Sequence, residues 1–325
     1  MSSTYANDSD RHSVNVWPEP FPEWTHAIEE WNWMWFAHIY GFASLFTLYT
    51  LYAVFSLSRF RKMANAKRKV HLLVVSCALI TAGIGRALVL FWDPYTSKKS
   101  SSAIQNVVVF ISWGIATACI TSAFSIMLLI FLETTKISLG PPKLRNLPLL
   151  VSITLTNIVY VTVSDVVVWF YPEAKVMIFI CHITFVIWGL ALSFGYFIAG
   201  FRMWQNLKST LKASNFTDPC LLRDAGKLKR LFFFMSAASV FGLGNFSISL
   251  YVSVGEFGVF AGDRFAKSWP WFSTQTILRT MEIILCGLIF LIAADNRKNY
   301  HQASPSKSNF TRNSIEPATE LNSVA

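Results

Sequence analysis

Four ionisable residues stand inside stretches made otherwise of apolar side chains: Arg86, Asp165, Arg279 and Glu282. A charge inside an apolar span is costly, so such residues pair with one another or line a route for a ligand or ion. The set is neutral, two cations against two anions. Gln275, Arg279, Glu282 and Cys286 recur at helical spacing and form one stripe. Arg279 and Glu282, three residues apart, can touch. Asn245 lies on a small-polar stripe with Gly242 and Ser249, and His38 and His182 fall within two further apolar stretches. The chemistry these types offer is ion pairing, hydrogen bonding and the holding of a charged or polar ligand. Metal chemistry is not expected. There is no His-x-x-x-His pair, and Cys77, Cys119, Cys181, Cys220 and Cys286 show no zinc spacing. No cofactor is implied. Each histidine reads as a hydrogen-bonded interior residue rather than a pH sensor.

Seven apolar stretches must position these residues, near 33–57, 70–92, 104–132, 148–170, 175–201, 231–254 and 271–293. Each is close to the ~20 residues a helix needs to cross a bilayer. Of the 325 residues 53% are hydrophobic and only 14% charged, against about 25% charged in soluble domains. Mean hydropathy is +0.43. Spans must satisfy their own backbone, which leaves helices or closed barrels. Barrel strands alternate over ~10 residues, whereas these stretches are continuously apolar. The expected fold is all-α, a polytopic seven-helix bundle. It divides into a short extracellular segment (1–32), the helical domain (33–293) and a disordered cytosolic tail (294–325). That leaves no room for a soluble catalytic domain.

The net charge of +10 raises nucleic acid as a partner, but its distribution argues for topology instead. Basic residues crowd three loops and the tail: Arg59 to Lys69, Lys136 to Arg145, Arg202 to Arg230, and Arg297 to Arg312. The other face holds only Arg11, Lys98, Lys99, Lys175, Arg264 and Lys267. This positive-inside bias puts the N-terminus outside and the C-terminus in the cytosol. The first span is expected to serve as an uncleaved anchor, since residues 1–32 are polar and acidic. Asn7-Asp8-Ser9 is then a glycosylation acceptor. The Asn215 and Asn309 acceptors fall on the cytosolic side and stay bare. Trp17, Trp24, Trp31, Trp33, Trp35, Trp92, Trp169, Trp269 and Trp271 read as an aromatic belt, while Trp113 and Trp188 lie deeper and read as packing residues. Gly195, Gly200, Gly242 and Gly244 are expected to permit close helix approach. The tail offers Ser304-Pro305 as a modification site.

Depth brings the polar residues together. At ~1.5 Å rise per residue, Arg86 lies ~9 Å inward of Trp92, Asp165 ~6 Å inward of Trp169, and Arg279 and Glu282 ~12 and ~16 Å inward of Trp271. With His38 and His182 they share one slab, in the outer half of the bundle, and Asn245 lies near the midplane of its span. Two readings stay open. The charges form a satisfied network that fixes helix register, or they line an outward cavity for a ligand or ion. Buried pairs are often no better for stability than apolar replacements.

Several segments resemble one family. They are Trp35-Phe36-Ala37-His38-Ile39-Tyr40-Gly41, Gly85-Arg86-Ala87 with Asp93-Pro94-Tyr95, and Phe185-Val186-Ile187-Trp188-Gly189-Leu190. Trp269-Pro270-Trp271-Phe272-Ser273-Thr274-Gln275, running on to Leu278-Arg279-Thr280-Met281-Glu282, completes the set. Over residues 30–298 the chain resembles the membrane domain of the proline-rich transmembrane protein 3/4 family. The resemblance implies a seven-helix integral membrane protein and places Arg86, Arg279 and Glu282 inside shared motifs. Those relatives carry a long proline-rich extracellular region. Here Pro18, Pro20 and Pro22 are the whole proline content before the first span, so a role residing in that region does not transfer.

Four function classes compete. A receptor-like protein fits the seven spans, the orientation and the polar outer slab. The rhodopsin-like signatures are absent, since span three ends in Phe131-Leu132-Glu133-Thr134-Thr135 and span seven in Ala293-Ala294-Asp295. An enzyme is disfavoured because only His38 and His182 are intramembrane metal candidates. An ion or proton transporter is disfavoured by the lack of internal repeats. A structural or adaptor protein fits if the charges only hold the bundle. The expectation is an orphan receptor-like protein, not an enzyme, in the plasma membrane, with a vesicle membrane as alternative. Its partners would be the bilayer, a cytosolic signalling protein and an unidentified extracellular ligand, and not nucleic acid.

Overall fold

The computed structural model describes residues 19–60, 66–98, 102–135, 147–213, 219–261 and 265–302. Among them run α1 (Trp24–Trp31), α2 (Trp33–Phe60), α3 (Ala66–Trp92), α4 (Ala103–Thr135), α5 (Leu147–Phe170), α6 (Val176–Ala213), α7 (Pro219–Val254) and α8 (Ser268–Gln302). Short 3-10 turns, Pro94–Thr96 and Pro172–Lys175, follow α3 and α5. Helices α2 to α8 each hold a stretch long and apolar enough to cross a membrane, from Trp33–Ser58 in α2 to Ser268–Ala293 in α8. The all-α seven-span expectation is therefore the fold, with span ends moved by a few residues. Helix α8 continues to Gln302, into the stretch read from sequence as tail. Asn7, the Asn215 and Asn309 acceptors, Ser304-Pro305 and the basic loop residues Arg61, Lys62, Lys143 and Arg145 lie outside the described residues.

Helix α4 is the centre. Of its most apolar window 83% is buried inside the bundle, against 17% for α5. It packs on α3, α5, α6 and α8. Lipid removes the hydrophobic drive between helices, so packing and interhelical hydrogen bonds must supply cohesion. The Phe124 and Tyr196 rings stack at 4.3 Å, and the Tyr196 hydroxyl donates to the Phe124 carbonyl at 2.8 Å. Ser239 donates to the Ser193 carbonyl at 2.9 Å, joining α7 to α6. Thr154 donates to Ser122 at 2.7 Å, joining α5 to α4. The outward faces carry large exposed apolar side chains, such as Leu48 and Phe55 on α2 and Phe194 and Phe197 on α6.

Close approach is concentrated at particular glycines. A Cβ at Gly114 would run into Val161 of α5, a β-branched side chain with little rotamer freedom in a helix. A Cβ at Gly195 would stand 2.9 Å from Leu128 and one at Gly242 2.5 Å from Ser193 Oγ, as their type suggested. At Gly200 and Gly244 it would meet side chains no nearer than 3.8 and 3.7 Å, so these two do not set an approach.

At the N-terminal end of the bundle the chain folds back as a cap. Helix α1 turns into α2 through Asn32, at φ 48°. Trp31 is fully buried, stacked on Trp271 at 5.9 Å and 5.2 Å from Trp35. The Phe21 carbonyl accepts from Ala266 N–H at 3.0 Å. The belt reading fits Trp33, Trp92 and Trp269, which are exposed, but not Trp31, Trp35 and Trp271, which are buried core. Their indoles pack on one another because the cap gives them a protein surface instead of a headgroup region.

The α4–α5 approach yields a paired expectation. Gly114→Val overpacks this crossing and should lower thermal stability in detergent by about 1–3 kcal/mol. Gly41 is exposed in α2, and a Cβ there would have nothing within 4 Å. It should accept alanine with no loss or a gain of up to ~1 kcal/mol. Equal behaviour of the two variants would contradict the packing described.

Candidate functional site

The site begins with two helices. The α8 stripe seen in the sequence turns Arg279 and Glu282 inward, and α3 presents Arg86 to them. Glu282 Oε1 accepts from Arg86 Nη2 at 2.7 Å, and Oε2 accepts from Arg279 Nη1 at 2.5 Å. Arg86 also donates to Thr117 Oγ1 at 2.9 Å and to the Trp113 carbonyl at 3.3 Å, both on α4. The two guanidinium carbons lie 4.0 and 4.3 Å from the centroid of the Trp113 ring. A cation over an indole gains about 0.5–2 kcal/mol, most when desolvated. The exposures are 1% for Arg86, 3% for Arg279 and 7% for Glu282. Removing Glu282 from this cluster leaves two uncompensated guanidiniums, which costs far more than the assembled cluster contributes.

Beside the triad lies a cavity of about 200 Å³. Arg86, Asp165, His182, Asn245, Gln275, Arg279 and Glu282 all line it, together with Glu19 from the segment before the cap helix. Asp165 enters from α5 beside Gly114 of α4, where a Cβ would stand 3.5 Å from Asp165 Oδ2. Among the described residues Asp165 has no hydrogen-bond or ion-pair partner, though it is only 8% exposed. Asn245 Oδ1 and the Nε atoms of Arg86 and Arg279 are also buried without a protein partner. Also on the lining, His182 Nδ1 is 3.3 Å from Glu19 Oε1. That contact is an ion pair when the imidazole carries a second proton.

His38 does not line the cavity. Its Nε2 is 2.9 Å from the Tyr95 hydroxyl and its Nδ1 2.9 Å from Thr276 Oγ1. Burial pushes the Tyr95 phenol up to about 12, so it stays protonated and donates to Nε2. Nδ1–H then donates to Thr276, which passes its own proton to the Phe272 carbonyl at 2.8 Å. This chain assigns the tautomer from its neighbours and ties α2 to α8 and to the Pro94–Thr96 turn. Tyr95 holds φ 57° and ψ 28°, rare for a bulky side chain. The ring is locked among Trp113 at 5.2 Å and Trp271 at 5.1 Å.

Trp113 and Thr117 are the sequence's omissions in the triad, and Glu19 in the cavity. Trp113 read as packing, and a threonine inside a helix usually bonds its own backbone. Thr117 does so, donating to the Trp113 carbonyl at 3.1 Å, while also accepting from Arg86. Glu19 had no span to place it. Among the described residues no three His, Cys, Asp or Glu gather closely enough to hold a metal ion.

The charges differ in what their removal exposes. Glu282→Gln leaves two guanidiniums facing one another and should cost about 3–5 kcal/mol of stability in detergent, the largest loss of the set. Arg279→Met leaves the Arg86–Glu282 pair and should cost less. Asp165→Asn breaks no pair and should leave the unfolding temperature unchanged or raise it. A fall on Asp165→Asn equal to that of Glu282→Gln would place Asp165 in the lock.

No curated protein matches the chain. One family description, the proline-rich transmembrane protein 3 domain, matches residues 8–313. That match takes in the cap, every helix and all of the cavity-lining residues. With seven membrane-length helices and this match over most of its length, the chain belongs to the proline-rich transmembrane protein 3 family.

Proposed function

We propose that the chain is a receptor-like seven-helix protein that binds a small polar ligand in the cavity beside the triad and signals through its opposite, cytosolic face. The observation that carries the reading is Asp165, a buried carboxyl that lines the cavity without a protein partner. Buried polar groups are normally hydrogen-bonded. Several that are left open in one concave site are what binding sites keep at the expense of stability. The positive-inside bias supports an extracellular N-terminus glycosylated at Asn7, a cytosolic C-terminus and residence in the plasma membrane. The reading assigns a binding role and no catalytic step.

A structural or adaptor role is the second reading, favoured by the Arg86–Glu282–Arg279 triad, whose hydrogen bonds already join three helices. A thermal-shift screen of small polar molecules separates the two. Ser249, which lines the cavity, is replaced by phenylalanine in a second preparation to fill the space. A ligand at a hundred times its Kd should stabilise the parent protein by about 2.7 kcal/mol and leave Ser249→Phe unmoved. If nothing stabilises the parent, or if stabilisers act equally on the filled variant, the adaptor reading replaces the receptor reading.

A further inference from the structure

We infer that the cavity takes a small zwitterion, a molecule with one carboxylate, one ammonium and a compact apolar group. The inference rests on the ligand-binding reading above and specifies the chemistry of that same site.

The charges on the two walls do not cancel where they stand. On one wall Arg86 and Arg279 share Glu282 as their one carboxylate, which leaves an excess of one positive charge. The unpartnered Nε donors belong to these same two side chains. On the other wall Asp165 stands without an ion-pair partner. Helix α4 keeps the two apart: Trp113 and Thr117 hold Arg86, whereas Gly114, a step further round the helix, backs Asp165. The cavity therefore presents a cationic end and, at Asp165, an unpartnered carboxyl that an ammonium would hold ionised.

Each simpler ligand fits worse. A lone carboxylate pairs with the guanidiniums and leaves the Asp165 carboxyl unpartnered, and a lone amine does the reverse. A buried polar group deprived of water and partner is unfavourable. An uncharged ligand displaces water from both ends and replaces none of its hydrogen bonds. A zwitterion satisfies both ends, and Asn245 Oδ1 supplies a further acceptor for its ammonium. Size sets the remainder. A cavity of about 150 Å³ holds a benzene ring, so the 200 Å³ here holds a ring or branched alkyl group with short polar ends. Phe110, Phe185 and Phe246 provide the apolar lining.

The test uses matched triplets on the full chain in detergent, read by thermal shift and by saturation-transfer NMR of the free small molecules. One triplet is phenylalanine, phenethylamine and hydrocinnamate, and the other is leucine, isoamylamine and isocaproate. At least one amino acid should bind roughly tenfold or more tighter than both of its singly charged analogues, the difference a charge-assisted pair makes. Asp165→Asn should weaken that amino acid by about tenfold while leaving the acid analogue unchanged. The NMR arm on the parent protein needs no variant. A singly charged analogue that binds as tightly as its amino acid overturns the zwitterion inference and leaves the ligand-binding reading standing. Silence of both triplets overturns the inference too, and silence of the parent in the wider screen overturns the reading beneath it.

Discussion

A single carboxylate serving two guanidiniums inside an apolar bundle is the constraint on which the rest of the molecule depends. Glu282 joins α8 to α3 through Arg86, and Arg86 joins both to α4 through Thr117 and the Trp113 carbonyl. In lipid the apolar faces gain little by choosing one another over acyl chains, so polar contacts and close packing must choose the register. The triad does this geometrically, because its direct bonds are directional and short. It does not balance its own charge. Its odd positive charge lies on a cavity that the Asp165 and Glu19 carboxyls also line.

The cap follows from a related need. The aromatic side chains at this end of the bundle would be exposed unless something covered them. Residues 19–32 do so, with Trp31 and Trp35 packed on Trp271 and Phe21 joined through its carbonyl to Ala266. Glu19 carries the strap to His182 beside the cavity. Tyr95 serves the same end from the α3 side, with an unfavourable backbone conformation held in place by packing against Trp113 and Trp271. The match to the proline-rich transmembrane protein 3 domain covers cap and bundle alike.

The spans were legible in the sequence because an apolar run of membrane length admits few alternatives. The inward face of α8 was legible for the same kind of reason, since Gln275, Arg279 and Glu282 recur at helical spacing and charges do not face lipid. The depth count grouped Arg86, Asp165, Arg279, Glu282, His38 and His182 and set Asn245 near the midplane of its span, and all of these but His38 line the cavity. Depth says nothing about azimuth, and azimuth decides partners. It could not show that Arg86 meets Glu282 while Asp165 meets neither arginine, or that His38 turns toward Tyr95. Trp113 was hidden because a tryptophan at depth reads equally as core or as a platform for cations. Glu19 and the cap were hidden because the contacts that seat them, to His182, Ala266 and Trp271, are long-range. The tryptophans near the first span misled for the same reason: their number suggested a headgroup belt, and only the fold shows which of them the cap encloses.

The central claim is that Glu282 is bound into the network and Asp165 is not. Double-mutant cycles measure this directly, combining Arg86→Met with Glu282→Gln and, separately, with Asp165→Asn, and reading unfolding free energies in detergent. Arg86 and Glu282 should couple by roughly 1–3 kcal/mol, while Arg86 and Asp165 should be additive to within about 0.5 kcal/mol. Coupling of Asp165 to Arg86 as strong as that of Glu282 would contradict the account, since Asp165 would then be a fourth member of the lock rather than a carboxyl kept open to the cavity.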